Sequence, residues 1–433
     1  MGTIAIIADD LTGAADTGVQ FCPYFRQTVL LSDEQLGTDF AEHCDPSSRA
    51  LAIFTNSRAL NIGQARAQLR RAAAALAAIF RPHWVYKKID SCLRGNIGVE
   101  TEALMDALGY GVSFIAPAFP AMGRTTVDDI HLINGIPVAQ TEIARDPVTP
   151  VTESCLSRVV AAQCRLPVAH VDLPFLDGDE RQLRGEVDRL IRQGAKHLVF
   201  DAVIPEHLDK IARTALFSSA KIIPVGSAGL ADSLGRHLPE KSSPAPEELR
   251  VEGRGRGLLV CGTTSEVTKR QIETLREKYS YEVLTLSPHL LAETKQRDDL
   301  QVRARSTQSV LAHNNLIVRI GLSPEESAAI AKTFRRQHPQ AVAAGLGYFV
   351  AELLHGRQPV RLFLTGGDTA YAVLSVLGAQ AVRLSGEIAP GMVRGTIMGG
   401  VMDGWPVVTK AGAFGKNDTL VVLHESWSQR IDD

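Results

Sequence analysis

The sequence predicts an α/β protein of two domains, each a mostly parallel sheet flanked by helices, with a cleft between them. Three observations carry that expectation. Strand-length apolar runs alternate with helix-forming segments along the chain, the pattern of strand–helix–strand crossovers and hence of parallel pairing. The alternation breaks at LPEKSSPAPEELRVEGRGRG (238–257), where Pro, Ser, Gly and charge replace any apolar period. Finally, 45% of the 433 residues are hydrophobic, enough for a large core on either side of that break. The domains are therefore placed at 1–237 and 257–433, joined by a linker over 238–256.

Taken in order, the strands of the first half are TIAIIAD (3–9), LAIFTN (51–56), WVYKKID (84–90), VSFIAP (112–117), HLVFDAV (197–203) and KIIPVG (221–226). Most are rich in β-branched or aromatic residues, which fit a pleated, buried surface. Between the second and third lies IGQARAQLRRAAAALAAIF (62–80), whose Ala, Leu and Arg content favours helix. Past the break come GLLVCG (257–262), a helix from about Ser265, NLIVRIG (315–321), RLFLTG (361–366) and paired glycine-rich strands near 395–410. Ser323 before Pro324, Glu325 and Glu326 reads as an N-cap followed by a favoured helix start.

Composition excludes several function classes. Lys plus Arg is 46 and Asp plus Glu 48, a formal charge of −2, which supplies no basic field for nucleic acid. No apolar run reaches the roughly 18–20 residues of a membrane span, and Met1 leads into a strand without a basic leader region. A cytoplasmic protein with neither a nucleic-acid nor a membrane partner is expected. The six cysteines contain no C-x-x-C pair and read as small buried hydrophobes rather than a disulfide framework or a zinc site.

In open α/β sheets ligands bind beyond the carboxyl ends of the strands, so the residues following each strand carry the chemistry. The first such turn holds Asp9 and Asp10 before Thr12 and Gly13. These carboxylates are either functional or helix caps. Arg58 follows the second strand, where a guanidinium can hold a carboxylate through two parallel hydrogen bonds. Lys88, Asp90, Ser91, Arg94, Gly95 and Asn96 crowd the third, suggesting an anion site at a helix start with Asp90 placed to orient or deprotonate a hydroxyl. In the second half, Gly262-Thr263-Thr264-Ser265, Gly366-Gly367-Asp368-Thr369 and Lys410 with Gly412 and Gly415 form small-residue turns that let backbone approach phosphate. Ser265 is also an ordinary N-cap. The Asp-x-Asp of haloacid-dehalogenase phosphatases fails at Leu11, and neither a G-x-G-x-x-G dinucleotide fingerprint nor a Walker A pattern is present. The pairing of carboxylate-plus-base turns with small-residue turns suggests phosphoryl transfer from a nucleotide to a small anionic polyol.

These segments resemble the four-carbon acid sugar kinase family, whose members phosphorylate threonate, erythronate or 3-oxo-tetronate with ATP. The resemblance covers essentially the whole chain. It rests on IADDLTGAADTGVQF (7–21), TNSR (55–58), KKIDSCLRGN (87–96), PAFPAMGRTT (117–126), NGIPVAQTEIARDPVTPV (134–151), GSAGLA (226–231), CGTTSEVTKRQ (261–271), TGGDTA (365–370), SGEIAPGMVRG (385–395) and VTKAGAFG (408–415). Cys92 stands where a threonine is more usual, and Ala411 and Ala413 flank Gly412 where serine or glycine is often found.

By that resemblance Asp9, Arg58, Lys88, Ile89, Asp90 and Ser91 contact the acid sugar, and Ser265, Gly366, Gly367, Asp368, Thr369 and Gly412 contact ATP. The strand-end reading adds Asp10 and Arg94 to the first set. Arg58 is expected to seat the substrate carboxylate, and Asp9, or second Asp90, to accept the proton of the terminal hydroxyl. Mg2+ is expected with ATP, its ligands illegible because it keeps several waters. The linker would permit hinge closure over both substrates. Within that family ADTGVQF after the paired aspartates resembles the threonate and erythronate kinases more than the 3-oxo-tetronate branch, and D-threonate is the substrate expected first, with D-erythronate and 3-oxo-tetronate as alternatives. A sensor binding a sugar acid without chemistry leaves the second-half turns unexplained, and a nicotinamide dehydrogenase lacks its fingerprint. A homodimer is the default for any oligomer.

Overall fold

The computed structural model describes residues 2–36, 49–146, 148–238, 255–263, 265–293, 297–321, 339–356, 360–412 and 414–428. Most of the segment read as a linker and the helix start at Ser323 lie outside the described residues. The chain divides into two compact units, Met1–Pro246 and Glu247–Asp433.

The first unit begins with β1 (Ile4–Ala8), α1 (Leu11–Gly18), β2 (Gln27–Ser32) and β3 (Arg49–Phe54), then passes through α2 (Ile62–Ile79) to β4 (Trp84–Lys88). It continues through α3 (Ile97–Leu108) to β5 (Val112–Ala116) and a small antiparallel sheet of β6 (Arg124–Val127), β7 (Ile130–Ile133) and β8 (Ile136–Pro137). The unit is completed by α4 (Leu156–Ala161), β9 (Val168–Val171), β10 (His197–Phe200) and β11 (Ile222–Gly226), with further helices between and after them. Its main sheet runs β2-β3-β1-β4-β11-β5-β10-β9, and every one of these neighbours pairs in parallel. All five residues of β1 are buried, as a parallel strand covered by helices on both faces requires.

Local sequence explains the helix boundaries. Asn61 caps α2 through its side chain, and Gln64 returns the bond to the Asn61 backbone, satisfying orphan donors in both directions. α3 ends at Gly109 in the left-handed conformation. Besides the small antiparallel sheet and EVLTL at 282–286, two strands of the main sheet, QTVLLS at 27–32 and VAHV at 168–171, are not among the expected runs. The reason is physical: α1 is only 8 residues long and built of small side chains, too short to show a helical period between two strands, and His170 interrupts an edge strand that pairs on one side only.

The second unit contains β12 (Gly257–Cys261), β13 (Glu282–Leu286), β14 (Leu316–Ile320), β15 (Arg361–Thr365), β16 (Ala381–Ala389), β17 (Met392–Met398) and β18 (Pro406–Lys410). Their order is β13-β14-β12-β15-β18-β17-β16. Pairing is parallel through β18 and antiparallel for the last two strands. Leu259, Ile272, Leu275, Phe363, Met392 and Leu420 form the core on one face of this sheet.

The two sheets share one topological logic. β1 lies between β3 and β4, so the chain leaves the first sheet in opposite directions from its centre. β12 lies between β14 and β15 in the same way, with β18 next. Such reversals open crevices at the carboxyl ends of the strands. Among the described residues no helix is long and apolar enough to cross a membrane, and Cys22, Cys92, Cys155, Cys164 and Cys261 form no disulfide.

Candidate functional site

Because β3, β1 and β4 are neighbours, the turns after them meet. Asp9 and Asp10 follow β1, Arg58 follows β3, and Lys88 to Arg94 follow β4. Asp10 is a helix cap: its Oδ1 accepts the Gly13 amide at 3.0 Å and its Oδ2 the Thr12 hydroxyl at 2.8 Å. Asp9 caps nothing. The Arg58 guanidinium donates to it from Nε at 2.7 Å and from Nη2 at 2.9 Å, and Nη2 also donates to Asp10 Oδ1 at 2.7 Å. The carboxylate held by the parallel bonds of Arg58 is thus the protein's own.

Asp90 is gripped in the same manner by Arg94, from Nε at 2.9 Å and Nη2 at 3.0 Å. Its Oδ2 also takes the backbone amides of Cys92 and Arg94, each at 3.2 Å, and Arg58 Nη2 lies 4.0 Å from its Oδ1. Burial alone would raise both acids. For Asp9 the charge of Arg58 outweighs it, helped by Lys87 and Lys88, and holds the carboxyl below the usual range. For Asp90, Arg94 and Arg58 do the same. Burial would lower Arg58, but Asp10, Asp9 and Asp90 together hold it well above its ordinary value. The turn is an ionised cluster at neutral pH.

A buried layer beneath fixes these turns. Lys87 Nζ lies 2.7 Å from Glu100 Oε2 and donates to the Lys88 carbonyl at 2.8 Å. Ser57 donates to Glu100 Oε1 at 2.6 Å, while its own amide bonds the Asp9 carbonyl at 3.0 Å. Asn96 Nδ2 donates to the carbonyls of Ser57 and Leu60, holding the loop that carries Arg58. His131, from β7, donates from Nε2 to the Ser91 carbonyl at 2.8 Å, and burial pushes its imidazole down to about 4. Ser91 Oγ is buried with no hydrogen-bond partner among the described residues. Lys88 is buried, with Nζ just under Gly13, and Ile89 continues the strand by donating its amide to the Gly226 carbonyl at 2.9 Å.

In the second unit β12, β15 and β18 are neighbours, and their turns pack on one another. A Cβ on Gly262 would sit 1.7 Å from Thr369 Oγ1, and one on Gly412 would sit 2.5 Å from Thr263 Oγ1, so only glycine allows either approach. Gly366, with φ +99°, donates its amide to the Lys410 carbonyl at 3.1 Å. Gly367-Asp368-Thr369 open the following helix. Ser265 caps the helix Glu266–Lys278 by accepting the Val267 amide at 3.3 Å. Lys410 is buried and donates from Nζ to the carbonyls of Ala411 at 2.9 Å and Phe414 at 3.0 Å. Burial pushes its ammonium down to about 8. Thr268 and Gln271 fasten the same loop through the carbonyls of Gly412 and Phe414.

The structure therefore gathers Asp9, Asp10, Arg58, Lys88, Ile89, Asp90, Ser91 and Arg94 in one place on the first unit. It gathers Ser265, Gly366, Gly367, Asp368, Thr369 and Gly412 in one place on the second. Sequence reasoning missed Lys87, Glu100 and His131. Glu100 carries a signal, a charge inside the otherwise apolar IGVETEAL stretch, whereas His131 lies 40 residues beyond Ser91 with nothing local to mark it.

Residues 4–234 match the family of sugar-binding N-terminal domains, and residues 258–420 that of nucleotide-binding C-terminal domains. The chain is 35% identical to a D-threonate kinase of Salmonella typhimurium over 96% of each chain. It is 30% identical to a D-erythronate kinase of Heliobacterium modesticaldum, covering 96% of this chain and 95% of that one. Against a 3-oxo-tetronate kinase of Brucella melitensis the identity is 28%, over 90% and 89%. A crystal structure from Salmonella typhimurium LT2, described as a tRNA synthase, superposes with a TM-score of 0.77 at 24% identity, covering 98% of this chain and 100% of that one. That last likeness shows the fold alone.

Proposed function

This chain belongs to the four-carbon acid sugar kinase family, and from that membership we propose that it transfers the γ-phosphate of ATP to the terminal C4 hydroxyl of D-threonate. The observation that supports an acid-sugar site most directly is the convergence of Asp9, Arg58, Lys88 and Ser91 at adjacent strand ends, with the Ser91 hydroxyl unpartnered among the described residues. A polyol acid offers what that arrangement lacks: hydroxyls for Ser91 and for the free lone pairs of Asp9, and a carboxylate for the cations.

Asp9 suits the proton-accepting position better than Asp90. Asp90 Oδ2 is already surrounded by two amides and Arg94 Nε, whereas each Asp9 oxygen takes one bond from Arg58. A carboxylate held this far into its ionised form is a weak base, which suits a loose transition state where positioning matters more than proton abstraction. Arg58 keeps Asp9 ionised and aimed, and Lys88 and Arg94 are assigned to the substrate carboxylate. The hydroxyls of Ser265 and Thr369, the amides following Gly366 and the Gly412 turn are assigned to the triphosphate.

Mg2+ takes hard oxygen ligands and retains waters. The Asp368 carboxylate and the Ser265 and Thr369 hydroxyls are such a set, and the ion would neutralise triphosphate charge there.

The test is a coupled ADP-release assay with Mg-ATP and D-threonate, D-erythronate, L-threonate, L-erythronate or 3-oxo-tetronate. Preference for D-threonate, abolished by Asp9→Asn, is the expected result. Preference for another four-carbon acid with the same Asp9 dependence replaces the substrate and keeps the site.

A further inference from the structure

Away from the strand-end turns, the first unit holds another set of converging donors. Glu102 lies on α3, His197 opens β10, and Cys164 lies between α4 and β9. One ligand atom from each lies within 4.8 Å of the others. His197 is the first residue of its strand, opposite Val168 at the start of β9, so the cluster sits at the amino edge of the sheet. Asp9 and Asp90 follow carboxyl ends, at the opposite edge.

The three side chains are held as ligands are held. His197 is completely buried and its Nδ1 lies 2.7 Å from Ser113 Oγ. Its Nε2 is buried with no hydrogen-bond partner among the described residues. With the proton on Nδ1 and donated to Ser113, the Nε2 lone pair is free, the arrangement by which an outer hydrogen bond orients a metal-binding imidazole. Glu102 is fixed from outside by Arg66 Nη1 on Oε1 at 3.3 Å and by the Arg165 amide on Oε2 at 2.7 Å. The Cys164 thiol makes one weak contact, to the Leu166 carbonyl at 3.6 Å.

We infer that Glu102, Cys164 and His197 bind a borderline-soft divalent cation, Zn2+, at a site separate from the acid-sugar and nucleotide turns. An imidazole, a thiolate and a carboxylate match the preferences of zinc, whereas Mg2+ takes neither sulfur nor, in ordinary protein sites, imidazole. In a tetrahedral zinc site sulfur and nitrogen ligands lie roughly 3.5 Å apart, so ligand atoms that lie within 4.8 Å of one another need to close by an ångström or so at most on binding. Three protein ligands leave the fourth position to water. No redox step is involved: the Cys164 sulfur releases its proton to solvent as the Zn–S bond forms. The ion would tie the start of β10 and the segment before β9 to α3, two residues beyond Glu100 under the acid-sugar turns. The spacing of the ligands, 62 and then 33 residues, matches no zinc motif and explains why the sequence pattern showed none.

The test uses the full-length chain, stripped with a chelator and then titrated with Zn2+ or with Co2+ as a spectroscopic substitute. We expect one equivalent bound, a Zn2+-dependent rise in Tm, and a sulfur-to-cobalt charge-transfer band. Cys164→Ala, at a half-buried position, should abolish that band and weaken Zn2+ binding by at least about tenfold. Glu102→Gln, which keeps the side-chain volume, should weaken binding while retaining the band. Absence of binding to the wild-type chain overturns the inference. So does binding of equal affinity in Cys164→Ala, which would place the ion elsewhere. These readouts do not involve turnover, so they stand or fall separately from the assignment of D-threonate.

Discussion

At the carboxyl ends of β1, β3 and β4, Asp9, Asp10, Arg58, Asp90 and Arg94 form one connected set of ion pairs. At the ends of β12, β15 and β18 the described turns are made of glycine and hydroxyl residues packed within van der Waals reach, with Lys410 buried beneath them. The strand order around β1 and around β12 follows the same logic in both units, but the materials differ. A four-carbon acid is recognised by which hydroxyl points where, and only directed side chains read that. A triphosphate is recognised by charge density close to backbone amides, and side chains there mostly need to keep out of the way. The first site should therefore fail when a charge is removed, and the second when a side chain is added.

The largest effect should come from Arg58→Met. Removing one partner of a buried ion pair costs roughly 3–5 kcal/mol because the other charge is stranded. Arg58 is the counter-ion of both Asp9 and Asp10. Chemical denaturation should show the loss, and turnover should fall with it. The double variant Asp9→Asn/Arg58→Met should recover much of the stability and none of the turnover, since it removes the charges of Asp9 and Arg58 but also the proposed proton acceptor. Stability and activity recovering together would mean that the pair is structural only.

Next is acid sensitivity of the first unit. The folded-state pKa of His131 is about 4, below the roughly 6.5 of an unfolded histidine. The stability it contributes is complete above about pH 6.5 and is lost as pH falls toward 4, on the order of 3 kcal/mol by linkage. His131→Gln, whose amide can still donate to the Ser91 carbonyl, should flatten that part of the pH–stability curve. An unchanged acid slope in the variant would assign the loss to the carboxylates instead.

The contrast also explains what the sequence could reveal. Dense polar side chains directly after apolar strands are legible as composition, which is why Asp9, Arg58 and Asp90 stand out in a single chain. That Asp10 caps α1 while Asp9 does not depends on a one-residue difference in where the helix begins, and so on coordinates. The partner of Arg58 was likewise hidden. A guanidinium at a strand end looks open to substrate until β3 and β1 are known to be neighbours, with the buried Asp9 and the partly buried Asp10 both needing a counter-ion. The small-residue turns are weaker signals still. Gly412 is informative only because Thr263 occupies the space its Cβ would need, a contact between segments about 150 residues apart. The parallel sheets themselves were readable from run length and alternation, except where α1 was too short to show a period and at the edge strands 168–171 and 282–286.

For the second site the steric prediction is direct. Gly412→Val should push Thr263 aside and raise the KM for ATP by about tenfold or more, close to 1.4 kcal/mol, with the KM for the acid sugar unchanged. A rise in both constants would show the added side chain disturbing more than the nucleotide turns.

The smallest effect, and the one that separates the two sites most cleanly, is on the alkaline side. Lys410 has a folded-state pKa of about 8 against an ordinary 10.5, lowered by burial. Two consequences of opposite sign follow. Because the folded state disfavours the ammonium, the second unit gains stability as pH rises from about 8 toward 10.5. Because that ammonium supports the Gly412 loop from below and attracts a triphosphate, the KM for ATP should rise a few-fold over the same first step, as a charge-assisted bond becomes a neutral one. Lys410→Met should remove both trends. The KM for the acid sugar should not follow them, since Asp9, Asp90 and Arg58 are far from their titration ranges at that pH. A wild-type KM for ATP that stays flat between about pH 7 and pH 9 would mean that the buried ammonium does not feel the triphosphate. Nucleotide binding would then rest on the backbone alone, in full contrast to the charged first site.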